Sequence, residues 1–389
     1  MAGAKGGAMR DRKLAEVFPP GEFIREELEA RGWTQDDLAA ILGRPSRLVS
    51  ELITAKRGIT PETARGLGGA FGTSAQLWMN LESTYRLWKS DPEQDLVERR
   101  ARLYTTAPLR LMIKRGWIED SSSVDVLETR LKDFFGLSDD LREPQFFAHV
   151  ARRSSSCPQL TPLQNAWLYR AGHMAKAVSA GDFSEARLAE MLQLLKLFLP
   201  NPEDLRKIPK LLAEFGIRFI IIEPFPQSKI DGATFWLNNH HPVVVLSLRY
   251  DRIDWFWHTL AHELAHVESG DGKNNDKFAL DIDLVGERTN SSDNRPQYEV
   301  KADERATDFL LPQTELDDFI MRVKPLYSKK KIAEFADRIN VHPGIVVGQL
   351  QHTGELSYAH NRKMLVRIRH IITDVALTDG WGRSVPSSP

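Results

Sequence analysis

Residues 258–267 read HTLAHELAHV, and within them His262, Glu263 and His266 form an H-E-x-x-H pattern on an apolar background. A helix turns ~100° per residue, so histidines four apart project one above the other from the same face, where two imidazoles can grip one metal ion. Glu263, one position round, is placed to take a proton from a water at that ion. The chemistry these residue types support is zinc-dependent peptide hydrolysis, with one zinc per chain. The five-residue pattern also arises by chance on a helix with two surface histidines, so a third donor has to be found.

A catalytic zinc uses three protein donors and keeps one position open for water. Residues 298–312, YEVKADERATDFLLP, predict a second helix in which Ala302, Ala306, Phe309 and Leu310 face inward and Pro312 ends the run. Glu299 and Asp303 are four apart and share a face. In a gluzincin type of site the first donates a carboxylate oxygen to the metal, and the second accepts the remaining ring proton of a ligating histidine, fixing its tautomer. The bland alternative is that Glu299, Asp303, Glu304 and Asp308 form the solvated side of an amphipathic helix. His258 extends the histidine stripe by one more turn, ~5.4 Å along the axis, which is too far to join the same ion on a straight helix. It is expected to sit behind the ligands or pack among Trp255, Phe256 and Trp257.

HTLAHELAH, followed after a polar insertion by E-x-x-A-D and a run ending in LLP, resembles the ImmA/IrrE family of metallopeptidases. The resemblance implies His262, His266 and Glu299 as zinc ligands, Glu263 as the catalytic base, and a repressor or other regulatory protein as substrate. Two positions depart from the family pattern: Arg305 stands where phenylalanine is usual, and Leu311 where methionine or isoleucine is usual. Neither change removes a ligand.

The other informative stretch runs from Phe18 to Lys89. Gly21 to Arg31 has Phe23, Ile24, Glu27 and Leu28 at helical spacing and stops at Gly32. Thr34 with Asp37 three residues on predicts a capped helix over 35–42 with Leu38 and Ile41 inward. Gly43, Arg44 and Pro45 form a turn, and a third helix over 46–53 buries Val49, Leu52 and Ile53 while Ser46, Arg47 and Ser50 face outward. Helix, tight turn and short helix is the helix-turn-helix geometry that lays its second helix in a DNA major groove. The stretch, notably KRGITPETA and GTSAQLWMNL, looks like the HigA branch of the XRE helix-turn-helix family. That resemblance implies operator-DNA contacts from Ser46, Arg47 and Ser50 on the recognition helix, from Gln35 to phosphate, and from Lys56 and Arg57 flanking the backbone. It also implies a homodimer. Arg44 and Glu51 depart from the usual residues, and 13 basic against 11 acidic residues over 1–90 leave a net charge of only +2. That is weak for a tight DNA binder, so the alternative is a domain kept for dimerisation or docking.

The 389 residues, 42% hydrophobic and 27% charged with a formal charge of −1, describe an ordinary soluble chain without a global bias toward nucleic acid or membrane. Cys157 stands alone, which excludes an intrachain disulfide and suits a reducing cytoplasm. Its setting, RRSSSCPQL from Arg152 and Arg153 onward, reads as a loop. No apolar run approaches the ~20 residues that span a bilayer. The reading is a multidomain, mainly α chain: a flexible tail over 1–17, the helix-turn-helix domain over 18–90, a helical connector or sensor over 91–200, and a zincin-like α+β domain with a helical tail over 201–389. The runs IRFIII, ATFWL and PVVVLSL predict a small antiparallel sheet packed on the zinc helix, with 233–237 or 243–248 as the edge that pairs with substrate. The polar interval 270–297 is a candidate lid or a disordered insertion, and the helices expected over 332–339 and 344–350 mimic a second helix-turn-helix, although the family resemblance implies a helical tail that packs on the peptidase part. The function expected is a cytoplasmic regulator joining operator binding to proteolysis; the alternative is a non-catalytic HigA-like repressor or antitoxin whose peptidase fold serves as sensor or docking scaffold.

Overall fold

The structure, a computed structural model, describes residues 17–89, 91–137, 160–238, 240–271, 273, 279–282 and 296–381. The residues before 17, the segment with Arg152, Arg153 and Cys157 expected as a loop, and most of the interval expected as a lid lie outside these residues. The chain divides into two compact units, Met1–Ala101 and Arg102–Pro389.

The first unit is helical: α1 (Pro20–Arg31), α2 (Gln35–Leu42), α3 (Ser46–Ile53), α4 (Pro61–Phe71) and α5 (Ala75–Lys89), with α6 (Asp91–Thr106) crossing the boundary. Thr34 and Asp37 form a reciprocal capping box at the start of α2. Gly32 and Gly43 end α1 and α2 in the left-handed region, at φ 67° and 63°, where a glycine carries no steric penalty. Ile24, Leu38, Val49, Leu52 and Leu67 close a small core between the helices. Ile41, expected inward, is instead 50% exposed. Leu38 and Ala39 already fill the inner face of this eight-residue helix.

In the second unit α7 (Leu109–Lys114), α8 (Val124–Phe135), α9 (Pro162–Ala177), α10 (Leu188–Lys196) and α11 (Ile208–Glu214) precede β1 (Arg218–Ile222), β2 (Ile230–Trp236) and β3 (Pro242–Leu246). There follow α12 (Ile253–Ser269), β4 (Ala279–Ile282), α13 (Gln297–Leu310), α14 (Gln313–Val323), α15 (Lys329–Arg338), α16 (Pro343–His352), α17 (Arg369–Ile372) and β5 (Leu377–Asp379). The five strands lie in the order β4-β2-β3-β1-β5.

The sheet is mixed, not antiparallel as expected: β1 runs parallel to both β3 and β5, while β2 is antiparallel to β3 and β4. The near-continuous apolar runs RFIII and PVVVL anticipate this physically, since strands covered on both faces need no polar alternation. Both segments proposed as the substrate-pairing edge are interior. β3 lies between β1 and β2, and β2 lies between β3 and β4, so the edge beside β2 is β4.

Successive side chains of β1 and β3 point to opposite faces. Phe219, Ile221, Val244 and Leu246 pack with Phe256, Leu260 and Leu264 of α12. Ile220, Ile222, Val243 and Val245 pack with Trp167 and Ala171 of α9 and with Leu131 and Phe135 of α8. Much of the stretch expected as a connector over 91–200 is therefore the second helical layer over the sheet, and a boundary near residue 200 passes through a shared core. On the other face α15 and α16 join the core of α12 through Ile332, Phe335, Ile345 and Val346, as expected for the tail.

Candidate functional site

α12 is the central helix of its unit, and every residue from Thr259 to Val267 is buried. An unsatisfied buried polar group costs on the order of 1–3 kcal/mol, so the partners of the polar groups on such a helix are informative. His262, Glu263 and His266 are all 0% exposed, so their partners define the site. α13 packs along α12 through Ala302, Ala306 and Leu310, and brings Glu299 against both histidines.

His262 Nε2 and His266 Nε2 lie 3.0 Å apart. Glu299 Oε2 lies 3.2 Å from the first and 3.7 Å from the second. Donors ~2.0–2.1 Å from a tetrahedral ion are separated from each other by about 3.3–3.4 Å. The triangle therefore has the dimensions of three corners of a zinc site, and these three residues form a metal-compatible group among the described residues. His258 is outside the triangle. Its ring stacks at 6.5 Å from that of His262 and stands 6.2 Å from that of His352.

Both histidines turn their Nδ1 to a carboxylate. His262 Nδ1 is 2.9 Å from Asp303 Oδ1, and His266 Nδ1 is 2.9 Å from Asp271 Oδ2. A carboxylate there accepts the Nδ1 proton and leaves the Nε2 lone pair directed at the common point. Asp303 occupies the position expected of it. Asp271 was missed by sequence reasoning. Its signal is Gly270, which ends α12 at φ 68°; the turn lets the Asp271 amide bond back to the His266 carbonyl and carries its side chain to the same histidine.

The electrostatics match a site built for a cation. Burial disfavours a charged His266, yet its hydrogen bonds to Asp271 and Glu299 outweigh this and raise its pKa to about 9. Burial likewise opposes the Glu299 carboxylate, but the two histidines hold its pKa down to about 2. Burial pushes Glu263 up to about 7, against the pull of His262, His266 and Thr234. Thr234 on β2 donates its hydroxyl to Glu263 Oε2 at 2.7 Å, while Oε1 is buried without a partner among the described residues. Gly232 makes room for it, since a Cβ at that position would come within 2.5 Å of Oε1. Thr234 and Gly232 were not foreseen, because nothing in ATFWL marks which strand residues face the zinc helix. Arg305, where the family pattern has an aromatic, turns outward and bonds Glu268 and Ser269 near the end of α12.

In the first unit Gln35 opens α2, and Ser46, Arg47 and Ser50 lie on one exposed side of α3. Lys56 and Arg57 are exposed in the following turn. The Arg47 side chain is 87% exposed and bonded to Glu51 at 2.8 Å, and Arg57 lies 3.7 Å from the same carboxylate. Glu51 is held below the usual carboxylate range, chiefly by the hydrogen bond from Arg47. Arg44 is paired with Glu62. The exposed basic side chains of this surface are thus partly neutralised by their own neighbours.

Residues 212–348 match the model of the peptidase M78 family, described as an IrrE N-terminal-like domain. The N-terminal region is similar to the uncharacterized HTH-type transcriptional regulator YddM of Escherichia coli K12, 32% identical over 93 residues, 24% of this chain and 98% of that protein. It is also similar to virulence-associated protein I of Dichelobacter nodosus, 34% identical over 79 residues, 20% of this chain and 73% of that protein. Among solved structures it resembles the Pseudomonas aeruginosa antitoxin HigA with higBA promoter at 37% identity, covering 19% of this chain and 83% of that one with a TM-score of 0.19. Through its N-terminal region the chain belongs to the family of HTH-type transcriptional regulators that includes YddM, and it carries an IrrE-like M78 peptidase domain in its second unit.

Proposed function

We propose that this regulator binds an operator through its first unit and that its IrrE-like domain is a zinc endopeptidase of gluzincin type acting on a repressor or another regulatory protein. The observation that carries the reading is the meeting of His262, His266 and Glu299 at one point, with both Nδ1 atoms tied to carboxylates and Glu263 alongside. His262, His266 and Glu299 would hold the zinc. A bound zinc supplies a Lewis acid that polarises a carbonyl oxygen and acidifies water. Glu263 does the proton work. Its Oε2 is engaged by Thr234, so Oε1 is the atom that takes a proton from water and returns it to the leaving amine. Asp303 and Asp271 orient the histidines. The test is Glu263→Gln, expected to retain one zinc per chain while cleavage of a regulator encoded beside it is abolished; loss of the metal, or cleavage at the original rate, overturns the assignment.

For DNA, the reading is supported by the outward Ser46, Arg47 and Ser50 of α3 and by the kinship with YddM, and the exposed Gln35, Lys56 and Arg57 would meet phosphate. We propose a homodimer, whose two recognition helices would compensate the small net charge. It is supported by Leu77 and Trp88, which share a face of α5 and are each 44% exposed. A regulator of this kind would work in the cytoplasm, and no described helix is long and apolar enough to cross a membrane.

A second reading rests on burial. With His262, Glu263 and His266 fully covered, the domain would bind metal as a sensor or docking scaffold within a non-catalytic HigA-like repressor or antitoxin. The same Glu263→Gln comparison separates the two, since only an enzyme loses a function when that carboxylate is neutralised.

A further inference from the structure

Away from the metal centre, Arg252, Arg362, Arg367 and Arg369 line a cleft of about 510 Å³ together with Asp251 and Leu365. The segment NRKMLVRIRH over 361–370 carries Arg362, Lys363, Arg367 and Arg369 without one acidic residue, in a chain whose formal charge is −1. The single carboxylate on the wall is already in use. Asp251 Oδ1 accepts from the amides of Ile368 and Arg369 at 2.9 and 2.7 Å, which fixes the basic segment against the start of α12.

Two of the four guanidinium groups are anchored as walls. Arg252, the residue preceding α12, is held by Asp254 and by Gln351 Oε1. Arg369 lies 3.7 Å over the ring of Trp381 and donates to the Leu248 carbonyl, yet its Nε is buried with no partner among the described residues. The other two, Arg362 and Arg367, are exposed and have no side-chain partner among the described residues. The forks of Arg252 and Arg369 are largely engaged within the protein, so the free forked donor pairs are those of Arg362 and Arg367, and each can take one phosphate. The cleft volume falls in the ~300–1,000 Å³ range of small-molecule sites.

We propose that this cleft binds a soluble small molecule bearing two or more adjacent phosphate groups, a polyphosphate or a nucleoside polyphosphate. Arg362 and Arg367 close on the anion from the rim, and Arg252 and Arg369 receive it at the wall. Arg252 also immediately precedes the helix that carries His262 and His266. The site is independent of whether the domain cleaves protein.

The experiment is calorimetric titration of the full-length protein with sodium tripolyphosphate, ATP and orthophosphate at about 50 mM salt, where screening is modest. Expected are one tripolyphosphate per chain, orthophosphate at least about tenfold weaker, and a loss of at least about tenfold in the Arg362→Gln/Arg367→Gln variant at unchanged thermal stability. ATP equal to tripolyphosphate identifies the phosphate chain as the recognised part, and ATP clearly tighter identifies a nucleotide; both support the proposal. It is overturned by the absence of saturable binding, by equal affinity in the double variant, or by equal affinity for orthophosphate. It also falls if tripolyphosphate binding disappears once the metal is stripped with a chelator, which would place the anion on the metal. Finally, it falls if the double variant loses affinity for random duplex DNA and not for tripolyphosphate.

Discussion

His262 and His266 each point Nε2 at Glu299 and Nδ1 at an aspartate, an arrangement in which the aspartates decide which nitrogen is free to ligate. Asp271→Asn and Asp303→Asn are therefore expected to weaken zinc binding by about 10–100-fold each without unfolding the protein. Competition with a chromophoric chelator measures this, and unchanged affinity in both variants would remove the tautomer argument. The same residues set a pH dependence. In the metal-stripped protein Glu263, raised to about 7, keeps its proton where the unfolded chain has lost it, so stability falls as pH rises through 4.5 to 7. His266, raised to about 9, adds stability below 6.5 that is lost on going to 9, on the order of 3 kcal/mol by linkage. Glu299, held at about 2, contributes above 4.5 and loses its contribution as pH drops toward 2. Thermal unfolding of the stripped protein should show greatest stability near pH 5 and a decline toward pH 9. Zinc affinity should rise over the same interval because the ligands must shed protons. A flat profile would contradict the buried cluster.

At the scale of elements, β2 does as much for the site as α12. Gly232→Ala would bring a Cβ to 2.5 Å from Glu263 Oε1, forcing the carboxylate or the strand to move. The expected result is retained zinc, cleavage reduced at least tenfold, and a stability loss of roughly 1–3 kcal/mol from overpacking. Wild-type cleavage by this variant would mean that Oε1 does not carry the proton. On α3 the decisive residue is Glu51, whose carboxylate engages Arg47 and lies near Arg57. Neutralising it as Glu51→Gln should release both arginines toward phosphate, tighten binding to random duplex DNA by severalfold and steepen its salt dependence. Arg47→Ala should weaken operator binding instead. Fluorescence anisotropy over a salt series tests both, and Glu51→Gln that binds more weakly than wild type would exclude α3 as the DNA-facing helix.

At the scale of the whole chain, the two units are unequal, and the larger cannot be shortened to the metal-binding part alone. Trp167, Ala171, Leu131 and Phe135 cover one face of β1 and β3, so a fragment from about residue 201 would expose Ile220, Ile222, Val243 and Val245 to water. Such a face, burying four large side chains at ~1.5–3 kcal/mol each, is comparable with the net stability of a typical domain. A fragment over 102–389 should therefore fold, bind one zinc and unfold cooperatively, whereas 201–389 should aggregate or remain loosely packed. Calorimetry and near-ultraviolet circular dichroism distinguish these outcomes. A cooperative, zinc-binding 201–389 fragment would show that α8 and α9 are dispensable.

Much was legible in residue spacing because it depends on one helix at a time. The 3.6-residue period puts His262 above His266 and Glu299 above Asp303, and the Thr34–Asp37 box sets the start of α2 whatever surrounds it. The helix-turn-helix boundaries follow from caps and glycines for the same reason. What only the tertiary structure decided involves partners distant in the chain. The parallel pairing of β1 with β3 and β5, and the burial of both sheet faces, depend on segments that are not neighbours in the chain, in the case of β5 more than a hundred residues away. Apolar runs show that a strand is covered but not by what. The contact of Glu263 with Thr234 and Gly232 depends on which face of β2 meets α12, and a one-residue change of register would reverse it. The pairing of Arg47 with Glu51, four apart on one helix, was in reach of spacing alone. The arginine cleft was not, because the loop that supplies Arg362 and Arg367 meets Arg252 through Asp251 and two backbone amides, a contact spanning more than a hundred residues that no local pattern encodes.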